Sequence, residues 1–261
     1  MRRALAALIM LTLAACAPAP PPITDRPDLD PDAIVSGTTF LTADTQALQG
    51  DAFSNPGYLW VDRGAALFQA LAPNDGPACA SCHDSGLKGA AASYPAVDVK
   101  SGTLVNLEGR INMCRERYQS APPLAYESDE LLAFSAYVAE QSRGMARKVR
   151  TDGLAASHYA AGRDYFYTSR GQFNFSCSQC HTENWGKKLR GDTISQGHGN
   201  GFPAYRFEWQ GLGSLHRRLR DCDLGVRAEP MPLGSDIYTD VELYLAARSQ
   251  GLALESPAVR R

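Results

Sequence analysis

Two pentapeptides of the form Cys-x-x-Cys-His occupy residues 79–83 and 177–181. Two thiols three residues apart can add to the two vinyl groups of one porphyrin, and the adjacent histidine can then bind the iron. A zinc site would need two further ligands close to each cysteine pair, and a histidine directly after both pairs is not that pattern. The sequence therefore predicts two covalently attached c-type haems, with these attachment and axial residues: Cys79, Cys82, Cys177, Cys180, His83 and His181.

Two cysteines outside the pentads, Cys114 and Cys222, are candidates for the opposite face of each iron. Each follows an arginine by four residues, about one turn of a helix, and they occupy equivalent places in the two halves of the chain. Thiolate ligands at both haems are the favoured interpretation. Met231, framed by two prolines, is an alternative ligand for the second haem, and a disulfide between the two cysteines is the alternative for an oxidising compartment.

The chain repeats itself around these residues. Aromatic-Pro-Ala segments at 94–96 and 202–204 precede Cys114 and Cys222 by the same distance. The order of helix, pentad, loop, cysteine and closing helix in each half is typical of a small c-type cytochrome. The closing helices are predicted from apolar residues at three- and four-residue steps: Leu131, Phe134, Tyr137 and Val138, then Tyr238, Val241, Tyr244 and Leu245.

The predicted fold is accordingly all-α, with two tandem cytochrome-c-like domains that arise from an internal duplication and each carry a covalently bound haem. We place these domains at residues 51–150 and 151–261. The second half differs chiefly by about ten extra residues after its pentad. They include the glycine-rich stretch 197–201, which we expect to be flexible and to lie over or beside the second haem.

The N-terminus has the features of a secretion signal. Two arginines precede an apolar run, residues 4–13, that is too short to span a bilayer. We expect a signal peptide over residues 1–17 that ends in a lipobox at Cys16, with ordinary signal cleavage nearby as the alternative. A proline- and aspartate-rich linker and N-terminal extension follows at 18–50 and is predicted to be extended and poorly ordered at its start. These features predict a periplasmic protein.

After the second pentad the chain carries the pattern Arg218-x-x-x-Cys222-Asp223. With two pentads and a cysteine after each, the sequence resembles the SoxA family, the A subunit of the thiosulfate-oxidising Sox system. The resemblance covers most of the mature chain and implies a di-haem L-cysteine S-thiosulfotransferase subunit. It also implies the following partners: a small monohaem cytochrome of the SoxX type, the SoxYZ carrier with a cysteine on a flexible arm, thiosulfate, and an electron-accepting cytochrome c.

The resemblance also implies roles for two residues in joining the carrier thiol to thiosulfate, a step that removes two electrons. Cys222 is expected to carry a persulfide and act as the active-site sulfur, and Arg218 to bind the thiosulfate dianion through its forked guanidinium. A contact with a haem propionate is the alternative role of Arg218. Because Arg110 stands in the same relation to Cys114, spacing alone does not decide which half reacts. The second half is favoured by the resemblance, by a denser basic cluster at 217–220 and by the glycine-rich stretch.

The alternative function is a di-haem electron carrier without sulfur chemistry, which a Met231 ligand in a closed pocket would favour. A di-haem peroxidase is a weaker option, because it needs an open sixth position at one iron and each half offers a candidate ligand. A nucleic acid partner is excluded by the formal net charge of -2, which provides no basic excess to offset phosphates.

Overall fold

The computed structural model describes residues 28–261, so the predicted signal peptide, Cys16 and the first part of the predicted linker lie outside the described residues. The described chain is mostly helical. Its α-helices, in chain order, are the following: Ala43–Gly50 (α1), Tyr58–Gln69 (α2), Leu107–Tyr118 (α3), Asp129–Glu140 (α4), Ala156–Tyr167 (α5), Cys177–His181 (α6), Leu215–Gly225 (α7) and Asp236–Arg248 (α8). None of the helices in this part of the chain is long and apolar enough to cross a membrane.

Short strands accompany the helices, so the all-α prediction is correct only in the coarser sense of a mostly helical chain. The strands are the following: Ala96–Val97 (β1), Leu104–Val105 (β2), Lys188–Leu189 (β3), Asp192–Thr193 (β4), Ala204–Arg206 (β5), Gly211–Gly213 (β6) and Ala258–Arg260 (β7). β1 pairs with β2 and β3 with β4, both antiparallel, while β5 lies between antiparallel β6 and parallel β7. Strands of two or three residues are too short to show the alternation by which a strand is recognised in a sequence.

Each half contains a pair of helices that cross at a glycine. In the first half α2 packs against α4, and a side chain at Gly64 would collide with the carbonyl oxygen of Ala133. In the second half α5 packs against α8, and Gly162 faces the carbonyl oxygen of Asp240 in the same way. Glycine permits this approach because it has no Cβ. The apolar residues at helical spacing lie on α4 and α8, so both predicted closing helices are confirmed.

A hairpin followed by a helix is repeated at a fixed offset along the chain. β1 and β2 pair with Ala96 opposite Val105, whereas β5 and β6 pair with Ala204 opposite Gly213, which is a shift of 108 residues on both strands (204 − 96 and 213 − 105). The helix after each hairpin begins at a side chain that accepts a hydrogen bond from the first turn: Asn106 for α3 and Ser214 for α7. The arginine and cysteine of each half therefore stand at the same positions of equivalent helices.

The apolar core contains one cluster within the second half and others that join the two halves. The first surrounds α5 and α8: Phe166, Tyr167, Leu215, Leu219, Tyr238, Val241, Tyr244 and Leu245. Another connects the first hairpin to α8: Leu104, Val149, Ala155, Leu243 and Ala246. A further cluster connects α2 and α4 to β6: Val61, Leu132, Ala136 and Leu212. The halves thus pack on each other, and their division into domains at 51–150 and 151–261 stays a prediction.

The described part of the predicted linker lies against the second half. Asp28 accepts a hydrogen bond from the Tyr244 hydroxyl at 2.7 Å and pairs with Arg248 at 2.8 Å. The amide of Gln196 donates to the backbone carbonyl of residue 33 at 2.7 Å and accepts from the N–H of residue 35 at 2.9 Å. Within the segment predicted to be poorly ordered, Asp28 is held by partners 216 and 220 positions further along the chain, whereas residues 18–27 lie outside the described residues.

The glycine-rich stretch at 197–201 is closely packed, so the prediction of a flexible segment is wrong. A Cβ at Gly199 would come 2.7 Å from Leu215 of α7, and one at Gly201 would come 2.8 Å from Ala258 of β7. Glycines in this stretch leave room for neighbouring elements to pack against the backbone. Composition alone does not separate that use of glycine from a flexible loop.

A buried and a half-buried carboxyl group lie close together where α3 of the first half approaches α8 of the second. Glu108 on α3 is 6% exposed. Glu242 on α8 accepts a hydrogen bond from Asn106 at 3.0 Å, and His216 lies 3.3 Å from the same oxygen. Burial, followed by the charges of Glu242 and Glu127, raises the pKa of Glu108 to about 8. Glu108 is therefore held in its neutral form in the folded protein at neutral pH.

We expect the free energy of unfolding to fall as the pH rises from about 4.5 to about 8, by on the order of 5 kcal/mol. Over this interval the folded state keeps a proton on Glu108 that the unfolded chain has already released, so higher pH favours unfolding. Urea titrations at pH 5, 6.5 and 8 should show this slope in the wild type and lose it in Glu108→Gln. Glu116→Gln, at an exposed position of the same helix, is the matched control and should keep the slope.

Candidate functional site

The second pentad forms a helical turn of its own, α6, because both ends of a capping box are present. The Ser176 hydroxyl accepts from the N–H of Gln179 at 3.4 Å, and the Gln179 side chain accepts from the N–H of Ser176 at 2.8 Å. This short helix places Cys177, Cys180 and His181 on one face, because residues three and four apart are neighbours on a helix. The spacing of the thiols is therefore fixed by local sequence.

The imidazole of His181 is oriented as an iron ligand needs. Its Nδ1 donates to the carbonyl oxygen of Ser195 at 2.7 Å, which leaves the lone pair of Nε2 free. Burial lowers the pKa of His181 to about 4, so the ring is neutral. Gly197, with φ at +77°, lets the chain pass over the ring, since a Cβ there would come 2.8 Å from the His181 Cγ. These contacts fit a proximal haem ligand.

Cys222 lies on α7 with Arg218 one turn before it, and both lie near enough to the second pentad for their charges to act on its residues. Burial and then the negative charge of Cys222 raise the pKa of Cys177 to about 12, and the same two causes raise the pKa of Cys180. Burial is the main cause of the low pKa of His181, and the charge of Arg218 adds to it. The structure thus brings together all five residues that the sequence predicts for this half.

Asp223, the residue after Cys222, anchors α7 in the second half. Its buried carboxylate accepts hydrogen bonds from the hydroxyls of Tyr165 at 2.7 Å and Tyr238 at 2.6 Å, and Arg170 lies 3.7 Å away. Because α5 and α8 supply the two tyrosines, the orientation of α7 is tied to the helix crossing. The cysteine is positioned by this anchor.

The first pentad begins on a short 3-10 turn, Cys79–Ser81, and its neighbour on α3 is Cys114. Gln119, which follows α3, donates to the Cys79 sulfur at 3.4 Å. Burial raises the pKa of Cys79 and of Cys114, and the charge of Cys114 contributes to the shift at Cys79. The first half therefore also brings its extra cysteine near its pentad. Its second thiol, Cys82, is exposed.

All six cysteines in the described part of the chain are free thiols, so the Cys114–Cys222 disulfide considered as an alternative does not form there. Free thiols beside an oriented neutral histidine are the donor set that thioether attachment of haem requires. The residues present therefore fit a c-type haem. Met231 packs against the same apolar cluster as Cys177, and as a ligand it stays an alternative prediction.

The two equivalent arginines differ in what holds them. In the first half Arg110 pairs with Asp98 at 3.0 Å and bonds the Tyr94 hydroxyl at 3.0 Å. In the second half, within residues 28–261, no hydrogen bond or ion pair engages the guanidinium of Arg218. The negative charge of Cys222 is the largest influence on Arg218 and raises its pKa. Arg218 is thus a charged group free to bind an anion, and Arg110 is not.

Arg206 and Trp209 are not among the residues that the sequence predicts for this site. Arg206 is buried on β5 and lies near Arg218 and Cys222, whose charges both act on it. A signal was present in the sequence, because position 206 stands 108 residues after Asp98, the acid that holds Arg110. If the comparison of the two halves is continued two residues beyond the aromatic-Pro-Ala segments, the acid Asp98 is seen to correspond to the base Arg206.

A family model described as "SoxA/TsdA, cytochrome c domain" matches residues 63–146. A cytochrome c domain implies a c-type haem. The chain is 38% identical to the L-cysteine S-thiosulfotransferase subunit SoxA of Pseudaminobacter salicylatoxidans, over 88% of this chain and 82% of that protein. It is 39% identical to the protein of the same name from Rhodovulum sulfidophilum, over 94% of this chain and 85% of that one.

A solved structure shows the same likeness. The crystal structure of SoxXA from P. pantotrophus contains a chain that matches this one with a TM-score of 0.83 and 37% sequence identity. The match covers 87% of each chain. The similarity therefore extends over both halves of the described structure.

Proposed function

The chain belongs to the SoxA family of L-cysteine S-thiosulfotransferase subunits, and we propose that its second half, at Cys222 and Arg218, is where thiosulfate reacts. The activity is that of an enzyme of thiosulfate oxidation. Thiosulfate and a cysteine thiol of a carrier protein are joined by a new sulfur–sulfur bond, with release of one proton and two electrons. The electrons pass to an accepting cytochrome c.

The observation that carries this assignment is the contrast between the two arginines. Arg110 is neutralised by Asp98, whereas Arg218 is left open one turn from Cys222. Thiosulfate is a dianion that must approach a sulfur of partly negative charge, so a fixed cation has to offset the repulsion. The planar guanidinium of Arg218 can donate two parallel hydrogen bonds to sulfonate oxygens.

Each residue of the second half has a distinct role in this proposal. Cys177 and Cys180 would attach the haem, and His181 and Cys222 would bind its iron. Cys222 would also be the active-site sulfur, as a persulfide. Arg218 binds and orients thiosulfate. The haem, when bound, supplies an iron that accepts and passes on electrons.

The first half is proposed to bind a second haem. Cys79 and Cys82 would attach it, and His83 and Cys114 would bind its iron. Support comes from the position of Cys114 beside the pentad and from the repeated hairpin and helix. With a haem in each half, the chain would consist of two tandem cytochrome-c-like domains, at 51–150 and 151–261.

The partners and the compartment follow from family membership and from the chemistry of haem attachment. We propose a SoxX-type monohaem cytochrome as the second subunit, in keeping with the SoxXA complex of the matched crystal structure, and a SoxYZ-type carrier as the protein substrate. Thioether attachment and the predicted signal peptide support a periplasmic location, with lipid on Cys16 as a further option. The alternative function, a plain di-haem electron carrier, does not account for the unpaired guanidinium of Arg218.

Arg218→Ala is expected to lower kcat/KM for thiosulfate by about 10- to 150-fold, which corresponds to roughly 1.5–3 kcal/mol for a lost hydrogen bond to a charged group. Arg218→Lys should recover only part of this, because a point charge does not replace a bidentate contact. The measurement is steady-state coupling of thiosulfate to the carrier cysteine by the complete complex. Haem content and the Soret spectrum should stay unchanged in both variants.

Arg110→Ala is the matched control, since it removes the equivalent arginine from the first half and should leave the thiosulfate KM unchanged. The opposite pattern for Arg218→Ala, with loss of haem or a shifted redox potential and unaltered thiosulfate kinetics, would assign Arg218 to a haem propionate instead. That outcome would remove the basis of the proposed substrate site.

A further inference from the structure

The two halves place opposite charges at one equivalent position. Asp98 follows β1 and Arg206 ends β5, and the two are separated by 108 residues, the same offset that separates Arg110 from Arg218. Because both hairpins have the same register and both helices start at equivalent caps, position 206 faces Arg218 as position 98 faces Arg110. The acid that holds the first arginine is replaced by a second cation.

Arg206 is buried yet incompletely bonded. It is 8% exposed, and its Nε is a buried donor with no hydrogen-bond partner in the described part of the chain. Its Nη2 lies 2.7 Å from a carboxylate oxygen of Glu208, whose side chain is 63% exposed. An ion pair with so exposed a partner contributes little, so Glu208 can turn away when another anion arrives. A buried guanidinium without full hydrogen bonding is costly unless a ligand completes it.

Trp209 fixes the Arg206 side chain beside α7. The Arg206 guanidinium lies over the indole ring at 5.1 Å and that of Arg217 lies over it at 4.4 Å. The indole N–H donates to Asp221 at 2.9 Å, and Asp221 is the residue before Cys222. The guanidinium is therefore held against the helix that carries the reactive cysteine.

The electrostatics agree with this placement. Burial, and then the positive charge of Arg218, lowers the pKa of Arg206, while the charges of Glu208 and Cys222 act in the opposite direction. The guanidinium groups of Arg206 and Arg218 lie close enough to affect each other. Arg218 has no partner in the described part of the chain, and the only ionic partner of Arg206 is the exposed Glu208. The pair therefore creates a strong local preference for an anion. A doubly charged anion gains most from such a pair.

We propose that Arg206 and Arg218 together bind the sulfonate end of thiosulfate beside Cys222, and that the reversal of charge between positions 98 and 206 gives the second half, and not the first, its anion site. The proposal deepens the function assigned above and rests on it. Arg206 acts by binding the anion in its ground state, so its removal raises KM and leaves kcat nearly unchanged. The pair also favours dianions over monoanions.

The experiment uses the complete complex with variants of Arg206, Glu208 and Arg217 and with two inhibitors, sulfate as a dianion and methanesulfonate as a monoanion of similar shape. Arg206→Gln is expected to raise the thiosulfate KM about 10-fold or more, and to weaken inhibition by sulfate more than inhibition by methanesulfonate. Arg206→Asp places an acid beside Arg218, as Asp98 stands beside Arg110 in the first half. It should raise KM further, because the new carboxylate pairs with the guanidinium of Arg218. Glu208→Gln removes the competing carboxylate and should lower KM. Arg217→Gln, which removes the other guanidinium that lies over Trp209, is the control and should leave KM within about 2-fold.

Sulfate binding to the same complex, measured by calorimetry, separates this inference from the proposed function. If wild type couples no thiosulfate but binds sulfate in a way that needs Arg206, the proposed function fails and the anion site stands. If wild type is active and Arg206→Gln leaves both KM and sulfate binding unchanged, the inference is overturned. If Arg206→Gln loses haem, Arg206→Lys is tested instead. A retained fold with a weakened preference for sulfate over methanesulfonate would support anion binding by Arg206 and Arg218. An unchanged preference would refute it.

Discussion

Cys222→Ser is expected to lower kcat for thiosulfate coupling by about 1,000-fold or more, the size of loss seen when a reactive side chain is removed. Serine keeps the shape of the side chain and its place on α7, between Arg218 and the anchored Asp223. It removes the sulfur that is proposed both to bind iron and to meet the substrate. The measurement is steady-state turnover of the complete complex, with electron paramagnetic resonance of the oxidised protein.

Cys114→Ser is the matched control, because Cys114 occupies the same place on α3 and its arginine is neutralised by Asp98. We expect it to alter the spectrum of the first haem and to keep turnover within about 10-fold of wild type. In wild type, both haems should give low-spin spectra with thiolate ligation, and each cysteine variant should remove one of the two signals. A wild-type spectrum of His/Met type alone would show the thiolate assignment to be wrong and return Met231 as the ligand.

Gly162→Val is expected to destabilise the protein by about 3 kcal/mol or more, because the new side chain has no room between α5 and α8. A Cβ at this position would collide with the carbonyl oxygen of Asp240 and come 3.0 Å from the Cβ of Tyr244. Backbone atoms of a helix do not yield as a flexible side chain does, so the two helices must separate. The same crossing carries the tyrosines that hold Asp223, so the position of Cys222 should be disturbed as well.

Thermal unfolding followed by circular dichroism tests this expectation, and for a chain of this size the loss corresponds to a fall in Tm of roughly 6 °C or more. Gly50→Ala is the control. Gly50 ends α1, has no atom within 4 Å of an added Cβ, and should leave the Tm unchanged or slightly raised. A Tm for Gly162→Val within about 2 °C of wild type would mean that the helices do not cross as closely as described.

The chemistry of the site could be predicted from the sequence because it depends on short-range spacing. The pentads require residues within five positions of each other, and the step from Arg218 to Cys222 is one helical turn. The closing helices α4 and α8 could be predicted for the same reason, since their apolar faces repeat every three or four residues. Local periodicity is a property that a sequence displays directly.

The features of the fold and of the site that could not be predicted depend on contacts between distant parts of the chain. The reversal of charge between positions 98 and 206 can be read from the repeat, but the ion pair of Arg110 with Asp98 requires the folded hairpin. The packing of Asp28 against Arg248 joins residues 220 positions apart. The glycines at 197–201 have a composition that also occurs in flexible loops, and only their neighbours show that they pack tightly.

The contact between the halves has a consequence for electron movement. Leu104 of the first hairpin packs with Leu243 of α8, and Asn106 donates to Glu242 across the same boundary. Apolar packing combined with this part-buried hydrogen bond joins the two halves, so we expect the two pentads to keep one separation. Tunnelling between groups bound at the two pentads would then proceed at a rate fixed by a static distance. Docking of a partner could change the driving force for that transfer without changing the path.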